Sequence, residues 1–172
     1  MNDFAVLFLS ETGNAAVLAK EIYEYLPSPD KILVDLRSET GIPKASFYFI
    51  GFDVRNDTCS LKVLNLLSEL DEGLIALFAT CAQAPTDEAK HHLEKKFDLW
   101  IEHEEQYAGM FLCQGRLPEN TYPQYCDKVK ATLPEEQAEE VLRQLEEGQA
   151  HPNEADCAAA RAFVDSVVQL PL

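Results

Sequence analysis

The chain has 172 residues, 47% of them hydrophobic, and its 30 acidic and 14 basic residues give a formal net charge of −16. This length predicts one domain over residues 1–172 that buries a core without disulfide or metal staples. The negative charge argues against binding to nucleic acid or anionic membranes. No apolar run approaches the roughly 20 residues that span a membrane, and no signal-peptide pattern opens the chain, so we expect a cytoplasmic protein.

Strand and helix patterns alternate along the first two thirds of the chain. The predicted strands are, in order, Phe4–Leu9, Ile32–Leu36, Phe47–Phe52, Leu74–Ala79 and Tyr107–Cys113. The predicted helices between them are Ala15–Leu26, Ser60–Leu70 and Thr86 to about His103. We expect Gly73 to cap the second helix and Thr86 to cap the third.

The last third of the chain reads as helical. Its predicted helices are Pro123–Lys130, Pro134–Glu147 and Asn153–Leu170. We expect the last helix to dock on the sheet through an apolar face made of Ala155, Ala159, Ala162, Phe163 and Val167. No repeat, low-complexity tract or linker indicates a second domain.

The junction between the first strand and the first helix, Ser10-Glu11-Thr12-Gly13-Asn14, is typical of an anion-binding turn. The free N–H groups of a helix start favour a phosphate, the Ser and Thr hydroxyls add donors, and Gly lets the backbone approach closely. Neither common glycine-rich nucleotide motif occurs. The alternative is an ordinary turn in which Thr12 and Asn14 act as local caps.

This loop resembles the Ser/Thr-x-Thr-Gly-Asn-Thr loop that holds the FMN phosphate in flavodoxins. Further stretches resemble a flavodoxin-like family of anaerobic bacteria that includes the flavodoxin-like partner of bilirubin reductase. These stretches are Gly51-Phe52, Phe78-Ala79-Thr80, Phe111–Gly115 and His151–Asp156. The resemblance covers nearly the whole chain.

The resemblance implies a flavodoxin-like α/β fold, a doubly wound parallel sheet of five strands in the order 2-1-3-4-5 with extra C-terminal helices. It also implies an FMN-binding electron-transfer protein or accessory subunit that serves a partner reductase, with bilirubin reduction as the reaction, rather than a stand-alone enzyme. The acidic charge fits docking on a basic partner.

The resemblance places the FMN phosphate in the first loop and the isoalloxazine ring between the loops after the third and fourth strands. The implied FMN contacts are Ser10, Glu11, Thr12, Gly13, Asn14, Ala15, Phe52, Asp53, Val54, Thr80, Cys81, Ala82 and Gln83. We expect these loops to meet at the carboxyl edge of the sheet, with the segment Cys113–Arg116 nearby.

Three positions depart from the family pattern. Ala15 stands where flavodoxins usually carry Thr or Ser, Asp53 where relatives are expected to carry Trp, and Ala84 where a Tyr is expected. Each lost aromatic stacking contact is worth about 1 kcal/mol or more, so the three changes together weaken FMN binding by orders of magnitude. The alternative function is therefore a flavin-free flavodoxin-fold interaction or regulatory subunit.

Two residues also imitate a phosphoryl-accepting receiver domain, a class that shares this strand order. Asp53 follows the third strand and Thr80 the fourth, as in receivers. Receivers also need an acidic pair after the first strand and a Lys after the fifth, where this chain has Ser10-Glu11 and Gln114–Arg116. Without the acidic pair the site lacks its Mg²⁺ ligands, so we disfavour this interpretation and expect no metal site.

The five cysteines are scattered, with no Cys-x-x-Cys pair and no zinc-type Cys/His spacing. We expect free, packed thiols. Cys81 and Cys113 lie near the expected site, where acidic neighbours raise a thiol pKa and disfavour a nucleophilic role.

Overall fold

The computed structural model describes residues 1–38 and 41–168. Within these ranges the strands are β1 Asn2–Leu9, β2 Lys31–Asp35, β3 Ala45–Asp53, β4 Leu74–Cys81 and β5 Tyr107–Gln114. The α-helices are α1 Asn14–Tyr25, α2 Leu61–Glu69, α3 Asp87–Phe97, α4 Tyr122–Thr132, α5 Glu135–Gly148 and α6 Glu154–Val168, with a short 3-10 helix at Glu104–Gln106. The strands pair in parallel in the order β2-β1-β3-β4-β5, which confirms the predicted flavodoxin-like α/β fold.

The sheet is covered by helices on both faces, as a parallel sheet requires. In the central strand β3, Phe47 and Phe49 pack on the side of α1 and α6. Tyr48, Ile50 and Phe52 pack on the side of α2 and α3. This double burial explains why the strand reads as a continuous apolar run rather than an alternating one.

Two predicted helix ends need correction. Thr86 caps α3 as predicted, because its Oγ1 accepts a hydrogen bond from Ala89 N at 3.1 Å. The helix ends at Phe97 rather than near His103, since the chain turns there to bury Ile101. Gly73 does not cap α2, which ends at Glu69. Its φ of +94° belongs to the turn that enters β4, where a Cβ would lie 2.9 Å from a backbone oxygen of β3.

The docking face of α6 also differs from the prediction. The residues that it buries are Cys157, Ala160, Val164 and Val167. The predicted residues Ala155, Ala159 and Ala162 are exposed, and Phe163 is half-buried against Phe111. Alanine occurs all round this helix, so it did not mark the buried face. The predicted end at Leu170 lies outside the described residues.

Helices α4 and α5 form a hairpin that packs around Val129, Ala138 and Leu145 and contacts Ala82, the first residue after β4. In the part of the chain that the structure describes, no helix has both the length and the apolarity needed to cross a membrane. The five cysteines are free thiols, as predicted.

Candidate functional site

Three loops meet at the carboxyl ends of β1, β3 and β4, where the strand order reverses and open α/β sheets form their crevices. The loop after β1 contributes the Ser10 hydroxyl and the backbone amide of Thr12, the first turn of α1 contributes the Ala15 amide, and the end of β4 contributes the Thr80 hydroxyl. We call these four hydrogen-bond donors the cradle. All four donate to one group, the carboxylate of Asp53 at the end of β3.

The carboxylate divides the four donors evenly between its oxygens. Oδ2 accepts from Ser10 Oγ at 3.0 Å and from Thr12 N at 2.8 Å. Oδ1 accepts from Ala15 N and from Thr80 Oγ1, each at 3.0 Å. Asp53 is only 8% exposed. Its hydrogen bonds supply the compensation that a buried carboxylate needs.

The sheet register brings the carboxylate to the cradle. Strand β3 lies between β1 and β4, with Leu9 opposite Phe52 and Asp53 opposite Thr80. Gly13, with φ of +88°, turns the chain from the β1 loop into α1. The first amides of a helix lack helical partners and carry partial positive charge, so an anion is stabilised at this point.

Further contacts close the loops around the cradle. Glu11 forms an ion pair with Arg55 of the loop after β3, and Asn14 Nδ2 donates to the Arg116 carbonyl at 2.8 Å. Asn14 N also donates to Thr12 Oγ1 at 3.2 Å, so local capping is present beside the anion-binding geometry. The ion pair is exposed and contributes at most about 1 kcal/mol, which leaves the buried carboxylate as the main connection.

The loop after β3 is a tight turn. Arg55 and Thr58 exchange backbone hydrogen bonds of 2.9 and 3.0 Å, and the two residues between them, Asn56 and Asp57, have φ of 49° and 58°. Asn and Asp tolerate this left-handed conformation better than most residues. Lys96 Nζ holds the turn through the Asp57 carbonyl at 2.7 Å.

Two residues expected beside a flavin ring lie elsewhere. The Phe52 side chain is 1% exposed and packs edge-on against the Phe97 ring, with centroids 5.1 Å apart, so it has no surface left for a ring. Asp53 lies in the cradle instead. Both placements correct the sequence expectation. They follow from strand alternation, which directs neighbouring side chains to opposite sides.

A crevice of about 550 Å³ lies beside the cradle, between the ends of β3 and β4. The predicted site residues that line it are Val54, Cys81, Ala82 and Gln83. Tyr125 of α4 and Gln144 of α5 line its far side. Sequence reasoning missed both, because no motif connects a helix after β5 with the loop after β4.

Two glutamines fix the far wall of the crevice. Gln114 Nε2 donates to the carbonyls of Ala82 at 2.9 Å and Gln144 at 2.6 Å. The Gln144 side chain in turn accepts from Ala84 N at 3.3 Å. A Cβ on Gly148 would lie 2.8 Å from Gln114 Nε2, so glycine at this position admits the contact. The helical hairpin is therefore part of the site.

Burial raises the pKa of the thiols near the site. Burial raises the pKa of Cys81 to about 12, and it raises the pKa of Cys59 to about 12 as well. Burial is also the largest cause of the raised pKa of Cys113. The raised pKa agrees with the sequence expectation; burial is the largest cause, and for Cys113 the charge of Asp156 adds to it. A protonated thiol is a weak nucleophile at neutral pH.

The cradle offers hydroxyl and backbone amide donors of the kind that bind a phosphate. All four of these donors already donate to the Asp53 carboxylate. A phosphate on the same donors would bring its oxygens within about 4 Å of the Asp53 carboxylate, and two unit charges at that distance near a protein surface repel by about 4 kcal/mol. The site with Asp53 in place therefore does not fit the phosphate of FMN.

The same hydrogen bonds bear on the receiver-domain interpretation. Each oxygen of Asp53 accepts two protein hydrogen bonds, so neither is presented to a metal ion. Across residues 1–38 and 41–168, no group of three or more His, Cys, Asp or Glu side chains is arranged to hold one. The structure adds no support to that interpretation.

Comparisons with known proteins agree with this fold. The model of the Flavodoxin_3 family, described as flavodoxin domain, matches residues 5–165. The chain is 26% identical over 167 residues to the flavodoxin-like domain-containing protein BilS of Clostridioides difficile (strain CD3), covering 95% of this chain and 94% of that protein. It also resembles the solved rubredoxin oxygen:oxidoreductase of Desulfovibrio gigas, with a TM-score of 0.54 at 10% identity. That match covers 98% of this chain but 36% of the other, and it concerns the fold alone.

Proposed function

Because the chain belongs to the flavodoxin domain family, we propose that it is a partner protein of a reductase and holds no FMN phosphate in its cradle. It acts as a flavin-free accessory subunit, by docking rather than by catalysis of its own. The observation that carries the proposal is the Asp53 carboxylate, which uses the four donors that a cofactor phosphate would need.

The nature of the partner is supported by likeness and by charge. BilS aligns with 95% of this chain, and the resemblance to the family that includes the flavodoxin-like partner of bilirubin reductase makes bilirubin reduction the reaction we propose for the pair. The net charge of −16 favours a partner with a basic face and speeds their encounter, which we place in the cytoplasm.

The geometry suits docking without a cofactor. Asp53 ties the ends of three strands together, and the glutamine contacts hold α5 against the loop after β4. The walls of the crevice are thus fixed before a partner arrives. A preorganised surface loses less conformational freedom on binding, which favours association.

The partner role predicts a stimulation of reductase activity. Adding this chain to a bilirubin reductase that lacks its flavodoxin-like partner is expected to raise turnover, and the gain should fall as salt screens the charges. An acidic protein of unrelated fold is the control. Equal stimulation by that control, or none by this chain at any salt concentration, contradicts the partner role.

An FMN-carrying electron-transfer protein is the second candidate. The crevice of about 550 Å³ favours it, because Val54, Cys81 and Gln83 line the place expected for the ring. Bound FMN would supply one- or two-electron chemistry. Its phosphate would have to displace the Asp53 carboxylate from the cradle, so we expect such binding to be weak.

A flavin titration separates the two candidates. We expect protein purified without added flavin to be colourless, and FMN fluorescence to stay unquenched as protein is added. Riboflavin, which has the ring but no phosphate, is the matched ligand control. A yellow protein, or saturable quenching that is much stronger for FMN than for riboflavin, would replace the proposed function with the second candidate.

A further inference from the structure

We propose that Asp53 is a built-in anion whose carboxylate occupies a latent oxyanion site. Once that carboxylate is removed, the cradle binds a phosphate group, either as inorganic phosphate or as part of a larger molecule. The inference rests on the proposed function, because it explains how a flavodoxin-type loop stays folded without a cofactor.

The donors of the cradle converge as they would on a bound ligand. Their distances to the carboxylate lie between 2.8 and 3.0 Å, with two donors for each oxygen. Ser10 and Thr80 are 3% and 2% exposed, so their hydroxyls are held away from bulk water. A phosphate also presents pairs of acceptor oxygens, and it can therefore accept from both pairs of donors.

All four donors are neutral, so the cradle selects an anion through dipoles rather than through a cation. The Ala15 amide lies in the first turn of α1, where the helix dipole adds partial positive charge. An uncharged occupant would gain less from these donors than an ionised one. The negative charge of the Asp53 carboxylate therefore suits these donors. Without the carboxylate, the same donors still favour an anion.

One side of the cradle, at Thr12 and Gly13, lies at the protein surface. Gly13 lies at its outer side and is exposed, and a Cβ built on this residue meets no atom within 4 Å. Thr12 is also partly exposed. A small anion can thus approach the Thr12 amide from solvent, whereas Ala15 and the hydroxyls of Ser10 and Thr80 lie deeper, in the buried part of the cradle.

The built-in anion joins parts of the chain that are distant in sequence. Asp53 lies 41 residues from Thr12 and 27 from Thr80, and its carboxylate holds both. In this chain the carboxylate accepts the hydrogen bonds that a bound phosphate would otherwise accept, and it thereby connects the same loops. The loops keep their shape whether or not a small molecule is bound.

The test compares the unchanged chain with Asp53→Ala, Asp53→Ser and a matched control, Asp57→Asn, in the same loop. Thermal unfolding is followed as inorganic phosphate replaces chloride at constant ionic strength. We expect phosphate to raise the midpoint of both Asp53 variants by about 3 °C or more, and to leave the unchanged chain and the control unmoved. Serine is included because it keeps a polar group at this position if the alanine variant folds poorly.

Two flavin arms identify the source of the phosphate. Stabilisation of the Asp53 variants by FMN but not by riboflavin supports the site with a phosphate that belongs to a larger molecule, and a response to phosphate alone supports it for the free anion. The inference is overturned if neither variant responds to phosphate or FMN, if the unchanged chain responds equally, or if both variants stay unfolded in phosphate. Failure of the proposed function appears separately, as FMN binding by the unchanged chain.

Discussion

Replacing Asp53 with alanine is expected to lower the free energy of unfolding by about 3 kcal/mol or more. The change removes the acceptor from two hydroxyls and two backbone amides at once. Each buried donor left without a partner costs about 1–3 kcal/mol, and water that enters from the open side of the loop offsets part of the sum. Urea denaturation followed by circular dichroism, with linear extrapolation to water, measures the loss.

The matched control for this measurement is Asp57→Asn. Asp57 lies in the same loop but is exposed, and its φ of 58° is one that Asn also tolerates. We expect its unfolding free energy to stay within about 0.5 kcal/mol of the unchanged chain. A loss of that size or less for Asp53→Ala would mean that the cradle donors find other partners, which contradicts the role given to the carboxylate.

The fold was predictable because its signals are local and repeated. Apolar runs such as Phe47–Phe52 alternate with helical patterns, and that alternation leaves few topologies open. The end of β3 was harder to place. The strand extends to Asp53, which pairs with Thr80, but a carboxylate after an apolar run reads as the start of a loop.

The site was predictable in its donors but not in its acceptor. The sequence indicates Ser10 and Thr12 through their hydroxyls in the first loop, Thr80 through the family resemblance, and Asp53 through its departure from the family pattern. That the carboxylate reaches the cradle depends on the direction of one side chain at a strand end, which residue spacing does not determine. By the family pattern, Ala15 counts as a lost hydroxyl. In the structure this residue contributes its backbone amide to the cradle, and that contact needs no hydroxyl.

The helical wall of the crevice shows a different limit. Gln114 and Gln144 meet through α5, and neither glutamine belongs to a motif. Their pairing depends on how the α4–α5 hairpin packs around Val129, Ala138 and Leu145. Such packing is settled by shape complementarity among several side chains, and residue spacing carries little information about it.

Gly51→Ala is expected to destabilise the protein by about 3 kcal/mol. Gly51 lies near the carboxyl end of β3 and pairs with Phe78 of β4, whose ring covers it. A Cβ at this position would lie 2.0 Å from Phe78 Cε2 and 2.1 Å from Cζ. Phe78 is fully buried, so its ring has no free space into which to move. Denaturant unfolding measures the loss, and Gly41→Ala, whose Cβ meets nothing within 4 Å, is the matched control.

A double-mutant cycle shows whether the clash is the cause. Phe78→Ala alone is expected to cost about 3–5 kcal/mol, because it leaves a cavity beside the glycine. In that background the added methyl of Gly51→Ala has room, so we expect the second change to cost less than about 1 kcal/mol. If Gly51→Ala costs as much in the Phe78→Ala background as it does alone, its destabilisation comes from the strand backbone and not from the clash with the Phe78 ring. Because Gly51 precedes Asp53 by two residues, a clash that moves β3 should also disturb the cradle, and the double variant should restore it.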